Sequence, residues 1–444
     1  MDRFFYRLLR FNYTARQWLT RRFTRAGLGV LIGLIVCAII GMDTTQSLSY
    51  QVYTLLTALL TVAIVATLFS RYRFSATRTL PRFGTIGTPL KYRIVLRNRT
   101  QKPQRGWKLL ESVADSFPSL KDYQRIAHRQ ENWRVRRRQW LTLLRQRQQA
   151  IASVVGLPSL PADQEVVLTG EVIPLRRGLL RFKAVTVACP DPLGLFNACV
   201  TQALPQSVLI LPKRYQLPPI QLPGARRYQS GGLALASSVG DSEEFRGLRE
   251  YRPGDPSRKI HWKSWAKVGK PIVKEEQEEY FVRHALILDT FQSEAYSELL
   301  EEGVAIASSL ACEIQTQESL LDLMFVGLEA HRFTVGRGLG QTERMLELLA
   351  SVVPCQDQPF ESMMPAIQSR LALLSGCICI LLAWDEARQA LVEQLQRCGI
   401  PTLVLVITDQ QGLPNTPDLK SFQNSQSSLH VLKLGQIQQG LGQL

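Results

Sequence analysis

The sequence predicts a multidomain chain: an N-terminal transmembrane α-hairpin, a small β-sandwich with a helical insertion, and a C-terminal doubly wound α/β domain. Three observations predict it: two uncharged apolar runs near the start, period-two alternation in the middle, and apolar strand-like runs alternating with helical stretches toward the end. A chain of 444 residues exceeds one ordinary domain. Its 45% hydrophobic and 20% charged residues are globular values, which argue against a disordered, collagen-like or wholly membrane-embedded chain. A formal charge of +16 favours anionic neighbours: lipid headgroups, nucleic acid or an acidic protein. The eight cysteines form no paired framework and Cys37 sits in an apolar run, so a reducing compartment is expected.

Residues 1–25 read as a basic cytoplasmic N-terminus and 26–70 as two transmembrane helices. The apolar runs are 26–42 and 47–69, separated by 43–46. Seventeen residues of helix rise only about 26 Å, short for a hydrocarbon core of about 30 Å, while the second run is long enough. A cleaved signal peptide fits less well, because a long basic stretch precedes the first run and a second run follows it. Arg3, Arg7, Arg10, Arg16, Arg21, Arg22 and Arg25 precede the hairpin, Arg71, Arg73, Arg78 and Arg82 follow it, and its turn has no Lys or Arg. This asymmetry predicts a two-helix protein of the inner (cytoplasmic) membrane with both termini in the cytoplasm.

Residues 71–215 read as the β-rich domain. Tyr92, Ile94 and Leu96 alternate with Lys91, Arg93 and Arg97, and Val166, Leu168 and Val172 keep period two beyond an insertion of about 119–162. Within the insertion, residues 121–150 hold nine basic residues, Arg134, Arg136, Arg137 and Arg138 among them, while Ile126, Trp133 and Trp140 recur every seven residues. That predicts a basic helix with a thin apolar seam, either lying on an anionic leaflet or leaning its tryptophans on the β-domain as a solvated hairpin. Charge alone would also suit nucleic acid, but no recognised binding module surrounds the segment, so nucleic acid is not an expected partner.

Residues 284–444 alternate strand candidates at 285–288, 321–326, 377–383, 402–407 and 429–434 with helical stretches at 299–314 and 387–397. Cys377 and Cys379 read as buried packing rather than a metal pair. Ligands gather at the carboxyl ends of strands in such sheets, which singles out Asp289 and Asp385. The loop Asp289-Thr-Phe-Gln-Ser293 resembles the Asp-x-Ser-x-Ser loop of von Willebrand factor A domains, although Phe291 replaces the middle hydroxyl. The resemblance implies that Asp289, Ser293 and Asp385 could hold magnesium weakly. The other reading is a degenerate site that keeps only the fold, with Asp289 capping a helix.

Residues 216–283 read as a linker with a signature running Gly240-Asp-Ser-Glu-Glu-Phe-Arg-Gly-Leu-Arg-Glu-Tyr-Arg-Pro-Gly-Asp-Pro-Ser-Arg-Lys-Ile-His-Trp-Lys-Ser-Trp-Ala-Lys267. Together with Asp191-Pro-Leu-Gly-Leu-Phe196 and the hairpin, it resembles the domain-of-unknown-function-58 family, membrane proteins of bacteria and archaea with a β-rich region before a von Willebrand A-like domain. Leu193 and Trp265 depart mildly from the family pattern, and the basic insertion and Phe291 are features of this chain. Phe245, Arg249, Tyr251, Pro253, Gly254, Asp255, Arg258, His261 and Trp262 read as an interdomain clamp or a binding groove. Arg252 to Asp255 should turn, with Asp255 accepting bonds from nearby amides or from Arg258, and Trp262 and Trp265 can share a helix face that covers the sheet.

No Walker phosphate loop, His-Glu-x-x-His helix or Gly-x-Ser-x-Gly turn is present, and Gly336-Arg-Gly-Leu-Gly340 lacks the dinucleotide fingerprint. His261 is the best general-base candidate, though a lone histidine is more often structural. The expectation is therefore no enzyme and no cofactor beyond the weak magnesium reading, but a membrane-anchored scaffold or adaptor that binds a protein partner. Family resemblance implies a MoxR-type AAA+ ATPase as that partner, in assembly or envelope maintenance. The alternatives are a metal-dependent enzyme using Asp289, Asp385 and His261, and an anionic lipid- or nucleic-acid-binding device built on the insertion.

Overall fold

The computed structural model describes residues 2–40, 47–69, 72–101, 103–114, 117–129, 132–218, 245–255, 257, 260–276, 283–294, 296–316, 320–326, 330–335, 339–409 and 427–444. The chain divides into two compact units, Met1–Leu211 and Pro212–Leu444. The boundary lies before Pro212, so the residues that the sequence assigned to the end of the β-domain, up to 215, go with the second unit.

The first unit opens with three helices: α1 (Asp2–Arg22), α2 (Arg25–Ile40) and α3 (Ser47–Phe69). The basic N-terminus of the sequence reading, 1–25, is thus mostly helix. Among the described residues one helix is long and apolar enough to cross a membrane, over Ser49–Thr67; α2 is apolar but shorter. The turn expected at 43–46 lies outside the described residues.

Two sheets follow, built from β1 (Phe74–Thr79), β2 (Phe83–Thr85), β3 (Leu90–Asn98), β4 (Lys108–Val113), the insertion helices α4 (Leu120–Arg129) and α5 (Trp133–Arg147), then β5 (Ala150–Ala152), β6 (Val155–Gly156), β7 (Glu165–Pro174), β8 (Gly178–Pro190) and β9 (Asn197–Leu211). One sheet has the order β1-β3-β7-β5, the other β2-β9-β8-β4-β6. Alternation does the sorting: Leu90, Tyr92, Ile94 and Leu96 of β3 face Leu109, Phe182, Val185, Val187 and Ile210 of the other sheet in one core, while Lys91, Arg93 and Arg97 point to water. Arg78 and Glu111 form a buried ion pair across this core at 2.7 Å. Burial pushes the Glu111 carboxyl upward, against the pull of Arg78.

The insertion holds two helices, as the hairpin reading has it, and not one continuous seamed helix. Asn132 caps α5 by accepting from the Arg134 amide, and Arg147 joins α5 to Asp122 of α4 at 2.7 Å. The tryptophan seam divides: Trp140 is buried among Tyr6, Phe117 and Tyr123, whereas Trp133 is exposed. The tryptophan that docks therefore rests on Tyr6 of α1 and Tyr123 of α4.

In the second unit, β10 (Phe245–Glu250), α6 (Trp262–Val268) and β11 (Ile272–Glu276) form a small module in which β10 and β11 pair antiparallel. The main sheet comprises β12 (Arg283–Leu288), β13 (Leu320–Val326), β14 (Ala330–Val335), β15 (Gly376–Leu381), β16 (Thr402–Thr408) and β17 (Ser428–Lys433), with helices α7 (Glu298–Thr316), α8 (Leu339–Ser351), α9 (Met364–Gln368), α10 (Glu386–Arg397) and α11 (Ile437–Leu441). Its order is β14-β13-β12-β15-β16-β17, parallel except at β14. Because side chains alternate, Leu286 and Leu288 pack with α7, α8 and α11 on one face, and Ala285 and Ile287 with α9 and α10 on the other. The sequence reading lacked β14 and α8; Leu339 and Gly340 of the glycine-rich stretch open α8, and 336–338 lie outside the described residues.

Candidate functional site

The strand order reverses between β12 and β15, so the crevice beyond their carboxyl ends is where this sheet would receive a ligand. Asp289 follows β12 and is fully buried. Its Oδ1 accepts from the Phe291 amide at 3.0 Å and its Oδ2 from the Leu382 amide at 3.0 Å. A third element reaches the same carboxylate: Arg388, one turn into α10, donates from Nε to Oδ2 at 2.6 Å and from Nη2 to Oδ1 at 3.2 Å. Its Nη1 meets Asp385 Oδ2, while Asp385 Oδ1 caps α10 by accepting from the Arg388 amide at 3.0 Å. The guanidinium lies 4.7 Å from the Phe360 ring centroid, and Phe360 in turn meets Phe291 edge-on at 5.4 Å. Burial pushes the Arg388 pKa down, but its bonds to Asp289 and Asp385 outweigh that and raise it, so the group is a permanent cation.

The arrangement does not suit a divalent metal. Magnesium needs several oxygen ligands, yet the two carboxylates expected to supply them already share a cation of the protein's own. Ser293, the third expected ligand, is exposed, and its carbonyl accepts from Gln356. Among the described residues no group of three His, Cys, Asp or Glu side chains could hold a metal. Asp289 is not the residue that caps the helix after β12: α7 starts at Glu298, where the Ser297 hydroxyl accepts from the Leu300 amide at 3.4 Å, and Asp385 caps a different helix, α10. Thr290, which the motif reading passed over, is fully buried and donates to the Val326 carbonyl, tying β12 to β13.

His261 is separate from this crevice in its bonding: Nδ1 meets Ser264 Oγ at 2.7 Å and its amide donates to the Ile272 carbonyl at 2.8 Å. It therefore belongs to the module of β10, α6 and β11. There Arg249 grips Asp255 with two bonds of 2.7 Å, and the Arg252 amide donates to Asp255 at 2.8 Å. These bonds hold the Asp255 carboxyl down to about 2. Pro253 and Gly254 make the turn, with Gly254 at φ 106. The amide expected beside Asp255 is that of Arg252 and a cation comes from Arg249, while Arg258, the other donor expected, lies outside the described residues. Phe245 begins β10. Trp262 does not cover the sheet: its ring stacks on Trp265 at 5.2 Å and it remains 62% exposed. Leu248, Tyr251 and Val268 are also exposed.

In the insertion, Arg134, Arg137 and Arg138 are exposed, Arg136 is half-buried, and Arg137 lies 5.6 Å from the Trp133 ring centroid. Asp191-Pro-Leu-Gly-Leu-Phe196 forms the tip between β8 and β9. Asp191 accepts from the Leu193 and Phe196 amides, Gly194 takes φ 68, and the Leu195 carbonyl receives the Thr24 amide at 3.1 Å.

Residues 247–377 match the family model of proteins of unknown function DUF58. The DUF58 match starts in β10 and ends in β15, so it includes most of the module and Asp289 but stops short of Asp385 and Arg388. The uncharacterized protein YeaD of Bacillus subtilis (strain 168) is 25% identical over 189 residues, covering 42% of this chain and 46% of that protein. The chain thus spans less than half the length of that relative. Among solved structures, the CARDB domain of PF1109 from Pyrococcus furiosus aligns at 11% identity, covering 32% of this chain and 97% of that one, with a TM-score of 0.18. A β-glucosidase from Listeria innocua aligns at 13% identity, covering 32% of this chain and 16% of that one, also at 0.18. Likenesses this weak carry no argument.

Proposed function

We propose that the chain is a membrane-anchored adaptor facing the cytoplasm, whose second unit, a von Willebrand A-like domain in this reading, grips a protein partner through the module at residues 245–276. The observation that carries it is Trp262: an exposed tryptophan stacked on Trp265, on a helix whose start is tied to β11 by the His261 amide donating to the Ile272 carbonyl at 2.8 Å. Exposed tryptophans on ordered elements are typical anchors of protein interfaces. Lys263 and Lys267 of the same helix are exposed, which suits an acidic partner surface, while Lys270 pairs with Glu250 at 3.3 Å. The sealed crevice supports binding over chemistry, since Arg388 takes the place where a metal-dependent reaction would be built. Membrane anchoring is supported by the apolar helix over Ser49–Thr67 and by the arginines on either side of 26–70.

A MoxR-type AAA+ ATPase is the partner class proposed from the family resemblance. The test is crosslinking from native membranes with the intact protein and with Trp262→Ser. An AAA+ ATPase captured by the intact chain and lost with the variant supports the reading. Equal capture by both forms, or by neither, overturns it.

A further inference from the structure

Helix α1 carries two apolar faces, of which only one is covered. Tyr6 and Tyr13 point into the unit, where Tyr6 meets Phe117 and Trp140 edge-on, its hydroxyl donates to the Pro118 carbonyl at 3.0 Å, and Tyr13 lies 5.2 Å from Phe117. On the other side Phe4, Leu8, Phe11 and Trp18 recur at i, i+4, i+7 and i+14, a line along one helix face, and all four are exposed, Phe4 and Phe11 by 68% and 69%. Arg3, Arg7, Arg10, Arg16 and Arg21 are exposed beside that line, and no acidic residue occurs from position 3 to 25.

We propose that α1 lies in the plane of the membrane, with Phe4, Leu8, Phe11 and Trp18 among the acyl chains and its arginines on anionic phospholipid headgroups. The inference rests on the membrane anchoring proposed above. Two observations favour lipid over a protein occupant. The row of arginines without a carboxylate complements an anionic surface, each nearby Arg contributing about 1 kcal/mol to such an attraction in general. The helix is also joined by Phe23 and Thr24 alone to α2, which packs beside the helix that could span the bilayer. That joint is fixed: Phe23 meets Phe196 edge-on at 5.1 Å, Thr24 Oγ1 accepts from the Gly27 amide at 3.0 Å, and Trp18 closes over Phe23 at 6.2 Å. The covered face explains the insertion, whose α4 and α5 act as a brace behind α1. Lipid contact is thereby assigned to α1, with the brace arginines Arg134, Arg137 and Arg138 adding to the same positive potential.

The test uses the full chain with a photoreactive benzoylphenylalanine replacing Phe11, reconstituted in vesicles of phosphatidylcholine alone or mixed with phosphatidylglycerol. A second protein carries the probe at Leu55, exposed on α3. Phospholipid adducts at both positions are expected, and Arg7→Glu with Arg10→Glu should cut the adduct at 11 about tenfold in the anionic vesicles while leaving that at 55 unchanged. An adduct at 55 with none at 11, or an adduct at 11 to protein only, overturns the placement of α1 and leaves the anchor standing. No lipid adduct at either position overturns both.

Discussion

At the scale of single residues, Arg388 decides the chemistry of the crevice. Its cation is buried between one sealed carboxylate and one half-exposed carboxylate, so Arg388→Met would strand the Asp289 charge. Losing one partner of a buried pair generally costs about 3–5 kcal/mol, and a lowered urea midpoint for the variant would measure it. Magnesium should leave the melting temperature of the intact protein unchanged, since a ligand stabilises a fold only where it binds. His284 offers a pH-dependent counterpart. Burial in β12 depresses its pKa from 6.5 to about 4, and neither ring nitrogen has a hydrogen-bond partner among the described residues. The unfolded chain therefore takes up a proton that the folded chain refuses, so the stability contribution is full above pH 6.5 and is lost as pH falls through about 4. The loss is on the order of 3 kcal/mol. His284→Gln should flatten the dependence of the urea midpoint on pH across that window. Sequence reasoning found Asp289 and Asp385 because each follows an apolar strand. It could not find Arg388, whose pairing with Asp289 spans 99 positions of chain and exists only because β12 and β15 are neighbours.

Among the elements, close approach decides where α2 sits. A Cβ on Gly27 would stand 1.9 Å from the Leu195 carbonyl oxygen, so the tip between β8 and β9 can touch the helix only at a glycine. Gly27→Val should push the helix off its seat and destabilise the first unit by about 1–3 kcal/mol, seen as faster proteolysis after Arg22 and Arg25. Trp140→Ala would open the brace and should cost about 3–5 kcal/mol, with α1 becoming the first segment cut. Strands with clean alternation, such as β3 and β7, were legible because their period announces a buried face. Helix α1 was not, because its two apolar lines sit among arginines and only docking of Tyr6 separates covered from open face. The basic residues shared by α4 and α5 leave one helix and a hairpin equally open in the sequence, and the Asn132 cap that starts α5 forms only on folding.

For the whole molecule, alkaline carbonate should leave the chain in the membrane pellet, as the helix over Ser49–Thr67 is apolar and only 6% of that stretch is buried inside the protein. Complete release into the supernatant would count against the anchor. The sequence by itself determined the apolar segments, the two kinds of sheet and the excess of positive charge, since these follow from the order and periodicity of neighbouring residues. Only the tertiary structure decided that the crevice is sealed by Arg388, that Trp262 stays in water, and that α1 keeps a bare aromatic line. Each of those outcomes depends on which distant residues share a face, and local periodicity carries no information about that.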